Sequence, residues 1–215
     1  MANTLKLKDS YLFGLIENRL LLDLPEKEKE NKLKLMQRAY WFSKAKFEWI
    51  FRDNWEPYFR HLERTAEIIL KEFPNPTVDK VVLALLHDIF EDTATYPETI
   101  KMMFGNEILE KLFILSKDVK QETQLYQNFS NKTDRNKKYF ERLLNCSDKD
   151  VIDVKLADRI DNLRTMEAWS NDKIKKKIQE TKDYILPLAD KYNLVAKRLL
   201  LQEIAKLEMK LNLDN

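Results

Sequence analysis

Only two histidines occur in the chain, and each stands where an imidazole can meet a carboxylate. His87 is followed directly by Asp88, with Glu91 four residues after the histidine and Asp92 four after the aspartate. Residues four apart share a helix face, so each carboxylate follows one member of the His-Asp pair on its own side. His61 lies upstream, just after Glu56-Pro57-Tyr58-Phe59-Arg60 at a helix start. Far downstream, Lys155, Asp158, Asn162 and Thr165 are spaced three, four and three apart, a polar stripe on a segment whose other positions include Leu156, Ile160 and Leu163. Imidazole and carboxylate together are the donor set of a divalent metal, and carboxylates beside such a site suit the deprotonation of bound water. Each residue also has a plain structural reading: a histidine satisfied in the core, or a Lys155–Asp158 pair on a solvated helix face.

Composition narrows how the chain could handle phosphate. Gly14 and Gly105 are the only glycines among 215 residues. Neither a Walker loop nor a dinucleotide-binding loop can be built from them, since both need closely spaced glycines. Phosphate must then be met by side chains or a metal. Cys146 is the single cysteine, which excludes an intramolecular disulfide and a cysteine zinc cluster and points to a reducing compartment. The start, MANTLKLKDSYLFGLIENRLLLDL, lacks the order of an export signal. No run approaches the ~18 apolar residues of a membrane span. A cytoplasmic protein without a membrane partner is expected. Thirty-eight basic and 36 acidic residues give a formal charge of +2, too balanced for a nucleic-acid partner, and the lysines at 173–177 read as a solvated helix face.

Helices must position these residues. Apolar residues recur with helical spacing through Tyr11–Leu22, Leu33–Phe51, Leu62–Phe73, Val78–Phe90, Ile100–Leu115, Lys137–Leu144, Val151–Trp169 and Ile174–Leu211, which predicts a single all-α domain. Breaks are expected at Pro25, at Asn54–Pro57, at Pro74–Pro76 with Thr77 as N-cap, and before Pro97. The polar stretch Lys117–Asn136 reads as a loop beside the core. Val81–Leu86 is apolar on every face and must be central, and it runs straight into His87-Asp88. Polar groups at the end of a buried helix need partners, since leaving one unpaired costs several kcal/mol.

In order and spacing, His61, His87-Asp88 and Asp158 match the H…HD…D signature, and the chain resembles the HD-domain metal-dependent phosphohydrolases. Glu-Pro-Tyr-x-x-His (56–61), Ala-Leu-Leu-His-Asp-x-x-Glu-Asp-Thr (84–93), Phe-Gly (104–105), Lys-Leu-Ala-Asp-Arg-x-x-Asn-x-Arg-Thr (155–165) and Glu-Thr-x-x-Tyr-x-x-Pro-Leu-Ala (180–189) are similar to the hydrolase domain of RelA/SpoT homologues, over about residues 40–208. The resemblance implies an HD-domain helical bundle that removes the 3′-pyrophosphate from the guanosine alarmones ppGpp and pppGpp with Mn²⁺. It implies His61, His87, Asp88 and Asp158 as metal ligands, and Glu91 and Asp92 as the pair that positions and deprotonates the attacking water. It further implies substrate contacts at Arg52, which would stack on the base, and at Lys138, Asn162, Thr165 and Tyr184.

The chain departs from that pattern beside the expected base pocket. Where the family has a His-x-Gly-Gln-x-Arg loop, this sequence reads Phe47-Glu48-Trp49-Ile50-Phe51-Arg52-Asp53, and Trp55 replaces the glycine before Glu56. An adenosine alarmone or another nucleotide with a 3′- or 2′-phosphate is therefore the alternative substrate. A non-catalytic nucleotide-binding module is a further alternative; its sign would be loss of a ligand or of the carboxylate pair, and none is lost. Asp153 replaces an apolar residue of the pattern. The four tryptophans read as core or contact surface. Residues 36–215 are expected to form the hydrolase, standing alone without the synthetase domain of bifunctional members. Residues 1–35 form a helical extension used for packing or, alternatively, as a homo-oligomer contact.

Overall fold

The computed structural model describes residues 11–117, 132–166 and 168–213; the expected loop Lys117–Asn136 lies largely outside them. Among these residues every regular element is a helix. A short first helix, α1 (Tyr11–Ile16), runs into a π-helical turn at Glu17–Leu21, followed by α2 (Glu26–Lys46) and α3 (Tyr58–Glu72). Then come α4 (Val78–Leu86), the single turn α5 (Ile89–Asp92), α6 (Pro97–Phe104) and α7 (Asn106–Leu115). The second half holds α8 (Lys132–Asn145), α9 (Lys149–Arg164), α10 (Asn171–Glu180), a π-helical turn at Thr181–Ile185, α11 (Leu186–Tyr192) and α12 (Leu194–Leu213).

Two helices make the centre. In α4 every residue from Lys80 to Leu86 is buried, as an all-apolar face requires, and Thr77 caps it by accepting a hydrogen bond from the Lys80 amide at 3.2 Å. Helix α9 is buried along Val151–Asp161 and capped by Asp148, whose carboxylate accepts from the amides of Asp150 (2.9 Å) and Val151 (3.2 Å). It packs on α3, α4 and α12, while α2 covers α4 and α1 lies on α3. Asp153, buried in this apolar setting, is matched by Lys80 Nζ at 2.7 Å and by Asn193 Nδ2 at 2.8 Å. Those partners account for the acid at an apolar position.

Several helices begin or end elsewhere than the spacing predicts. The expected helix Val78–Phe90 breaks after Leu86, with Asp88 at φ −98° and ψ 9°. Ile100–Leu115 divides at Gly105, whose φ of +89° is open to glycine and strained for other residues. Helix α2 starts at Glu26 and runs through residue 35, so the expected boundary at 35/36 falls inside one helix. Leu12, Phe13, Ile16 and Leu21 of the expected extension are buried in the common core. Trp49 and Trp55 are 81% and 84% exposed, so of the two roles expected of the tryptophans these do not take the core one, because they sit in the loop between α2 and α3. That loop is pinned by an isolated bridge between Phe51 and Pro57. No helix among the described residues is long and apolar enough to cross a membrane.

Candidate metal centre

His61 projects from the first turns of α3, His87 and Asp88 from the corner between α4 and α5, and Asp158 from the middle of α9. The corner brings the first three together: ligand atoms of His61, His87 and Asp88 all lie within 4.8 Å of one another. Asp158 Oδ1 joins them at 3.4 Å from His61 Nε2 and 3.8 Å from His87 Nε2. Asp88 Oδ2 lies 3.0 Å from His87 Nε2 and 3.7 Å from His61 Nε2. Donors so spaced are those that can each reach a common ion at about 2 Å.

Hydrogen bonding on the far side of each ring aims the right nitrogen inward. His87 Nδ1 lies 2.8 Å from the carbonyl oxygen of Ala84, which can only accept, so Nδ1 carries the proton and Nε2 faces the centre. That Nε2 is fully buried and makes no hydrogen bond, which an ion at the centre would remedy. The residues present therefore fit a divalent metal, and His61, His87, Asp88 and Asp158 are the side chains that could hold it.

Without the ion, protons stand in for it. Burial lowers the His61 pKa, but the carboxylates of Asp158, Asp161 and Asp88 outweigh burial and push it up to about 10. Burial likewise raises Asp88 and Asp158; His87 and His61 for Asp88, and Lys155 with both histidines for Asp158, hold them below the usual carboxylate range. The sign for metal binding follows. With the carboxylates holding the His61 pKa above neutrality, binding of an ion should release a proton, and affinity should fall about tenfold for each unit the pH drops, per proton displaced. Calorimetric titration with Mn²⁺ in two buffers of different ionisation heat measures this; release of no proton at pH 7 would contradict it.

Beside the centre, Glu91 accepts a hydrogen bond from the Lys117 amide at 2.7 Å, and burial together with the Asp88 carboxylate raises it to about 7. A carboxyl poised there suits proton transfer. Tyr58 donates to Asp88 Oδ2 at 2.6 Å, and burial with the charges of Asp88 and Asp92 holds its phenol neutral. Asn162 donates to Asp158 Oδ1, and Lys155 Nζ meets Asp158 Oδ2 at 2.8 Å. Arg52 reaches in from the loop, donating to Asn162 Oδ1 at 2.7 Å and Asp161 Oδ2 at 3.2 Å.

The remaining expected contacts are spread more widely. Thr165, at the end of α9, turns its hydroxyl back to the Asp161 carbonyl at 2.8 Å. Tyr184 stacks on Phe140 with centroids 4.4 Å apart, and Lys138 is exposed on α8. Other cations face inward. Arg159, 1% exposed, and Lys177 share Glu180 at 2.6 and 3.2 Å. Lys117 and Lys155 both lie over the Tyr139 ring, at 5.2 and 5.4 Å. Burial and the neighbouring Arg159 depress Lys177 to about 8, so the lysine run at 173–177 is not solvated throughout. Tyr58 and Lys155 lay within the matched motifs, whereas Lys117 and Lys177 had no local signal.

A family model described as HD domain matches residues 40–194. The chain belongs to the HD domain family. Membership implies a divalent metal, and His61, His87 and Asp88 form a group that could hold one. Among curated relatives, the chain is similar to a probable guanosine-3′,5′-bis(diphosphate) 3′-pyrophosphohydrolase of Synechocystis, 36% identical over 65% of this chain and 18% of that protein. It is 33% identical to the guanosine-3′,5′-bis(diphosphate) 3′-pyrophosphohydrolase of Aquifex aeolicus, over 80% of this chain and 23% of that one. To the bifunctional (p)ppGpp synthase/hydrolase SpoT of Escherichia coli it is 30% identical, over 83% and 24%. This HD domain chain thus spans about a fifth of the length of the curated relatives it matches. A solved structure described as a metazoan ortholog of SpoT that hydrolyzes ppGpp shares the fold, with a TM-score of 0.67 and 19% identity over 80% of this chain and 94% of its own.

Proposed function

We propose that this HD domain is a guanosine-3′,5′-bis(diphosphate) 3′-pyrophosphohydrolase that uses Mn²⁺ and converts ppGpp or pppGpp to GDP or GTP plus pyrophosphate. The observation that carries the reading is the convergence of four ligand donors with Glu91, raised to about 7, at the same α4–α5 corner. The activities for which the relatives are named support it. When bound, the ion would polarise a phosphoryl oxygen and acidify the attacking water. Glu91 then takes the water proton, with Asp92 beside it, as the water oxygen bonds to the phosphorus on O3′ and the P–O3′ bond breaks, the departing O3′ taking up a proton from solvent to leave as the 3′-hydroxyl. Tyr58 stays protonated and keeps Asp88 oriented. Lys117, Lys155, Arg159 and Lys177 offer charge to the departing pyrophosphate. Arg52, Asn162, Thr165 and Tyr184 are assigned to the nucleoside and ribose end, and Lys138 to a peripheral phosphate contact. A cytoplasmic site of action, where such nucleotides occur, fits the single cysteine.

The loop of Arg52 favours one second reading, hydrolysis of an adenosine alarmone or another 3′- or 2′-phosphorylated nucleotide. Trp55 adopts φ +63° there and is exposed with Trp49 next to the arginine that would meet the base. A panel of guanosine and adenosine nucleotides bearing 3′- or 2′-phosphate or pyrophosphate, incubated with the Mn²⁺-loaded protein, decides between them. Release of pyrophosphate from ppGpp is expected; turnover of adenosine nucleotides alone would move the assignment to the second reading. Tight nucleotide binding without any turnover would make the chain a binding module.

A further inference from the structure

We propose that Asp161 is a positioning residue that fixes His61 as a metal ligand and ties that ligand to the substrate-facing Arg52. Asp161 is 1% exposed and sits three residues beyond Asp158 on α9, so one helix carries both a ligand and the support for another. Its Oδ2 lies 2.6 Å from His61 Nδ1. Its Oδ1 accepts from Arg64 Nε at 2.6 Å, and its Oδ2 accepts from Arg64 Nη2 and Arg52 Nη1, each at 3.2 Å. Arg64 is itself clamped by Glu56, which accepts from Nη1 and, at 2.8 Å, from Nη2.

The chemistry of this arrangement is specific. A carboxylate offers no proton of its own, so the hydrogen bond to Nδ1 keeps a proton there and leaves Nε2 as the donor toward the ion. The negative charge also makes Nε2 a better donor, and partners of this kind are worth about 10–100-fold in metal affinity. His87 has a neutral carbonyl, Ala84, in the equivalent role. The two imidazoles are therefore unequal, and His61 is the stronger ligand. Because Arg52 contacts the same oxygen as His61, the nucleoside-facing arginine and the metal ligand draw on one carboxylate. This last link rests on the assignment of Arg52 to the nucleotide; the support of His61 does not.

The test reads metal binding rather than turnover, so it succeeds or fails independently of the proposed hydrolase activity. In the unaltered protein loaded with diamagnetic Zn²⁺, ¹⁵N–¹H spectra should show His61 bound through Nε2 with a low-field Nδ1–H signal. Metal on Nδ1, or no protected Nδ1–H, would overturn the proposal without any variant. Asp161→Asn, an isosteric change, should shift that signal upfield and weaken Mn²⁺ binding 10–100-fold, measured as free Mn²⁺ by electron paramagnetic resonance. A folded Asp161→Asn protein whose Mn²⁺ affinity stays within twofold of the original would also overturn it. If the variant does not fold, the spectrum of the unaltered protein decides.

Discussion

Asp158→Ala is expected to abolish metal binding and hydrolysis together and, unlike an ordinary ligand deletion, to destabilise the metal-free protein. Asp158 faces both histidines and also receives Lys155 Nζ at 2.8 Å and the Asn162 amide. Lys155 is 9% exposed, so deletion strands a buried ammonium, and breaking a buried pair in this way costs about 3–5 kcal/mol. The pH dependence has a definite sign. Asp158 is held below its unfolded value, so its stabilising contribution is present above the ordinary aspartate range and is lost as pH falls through the lowered folded value. The variant should therefore melt well below the unaltered protein at pH 7, with the gap closing in acid. Metal content after desalting and thermal unfolding across pH measure both effects. Stoichiometric metal in purified Asp158→Ala would remove Asp158 from the ligand set.

Glu91→Gln combined with Asp92→Asn should separate chemistry from metal. Neither residue is among the four convergent donors, so Mn²⁺ affinity should remain within a few fold. Turnover should fall by about 10²–10⁴, the usual contribution of a positioned general base. Binding measured by free Mn²⁺ and turnover measured as pyrophosphate release give the two readouts on one sample. A metal-loaded double variant of full activity would sink the base assignment and send the search to water alone.

The convergence of His61, His87, Asp88 and Asp158 was legible because each lies in a short local motif and because histidines are so few. Its supporting residues were not. Arg64 and Asp161 meet across 97 residues of sequence, and neither has a neighbour that announces the pairing. Asp153 was opaque for the same reason, since its partners Lys80 and Asn193 come from distant helices. Among the helices, apolar spacing gave the type and the approximate place of each described element but failed at particular ends. The first turns of α2 are Glu-Lys-Glu-Lys-Glu-Asn-Lys, a solvated helix start with no apolar residue for periodicity to register. The break at His87-Asp88 carries neither glycine nor proline, so the apolar run read straight through it; Gly105 did offer a break signal, but the apolar spacing of Ile100–Leu115 continued across it. Which cations face the site depends on the rotation of α8 and α10 about their axes. That is why Lys138 stands exposed while Lys177 turns inward to Glu180.

The corner between α4 and α5 has one more consequence. The Asp88 carbonyl accepts from the amides of Glu91 at 3.1 Å and Asp92 at 3.0 Å, so two of the candidate ligands and both carboxylates proposed for proton transfer ride on one short stretch of hydrogen-bonded backbone. Part of the proposed reactive geometry is thus written into six consecutive residues, with His61 and Asp158 brought to it by α3 and α9, while Arg52 reaches in from the separate loop between α2 and α3. Because Arg52 shares the Asp161 carboxylate with His61, a change in that loop would be felt at the metal centre as well as at the nucleoside.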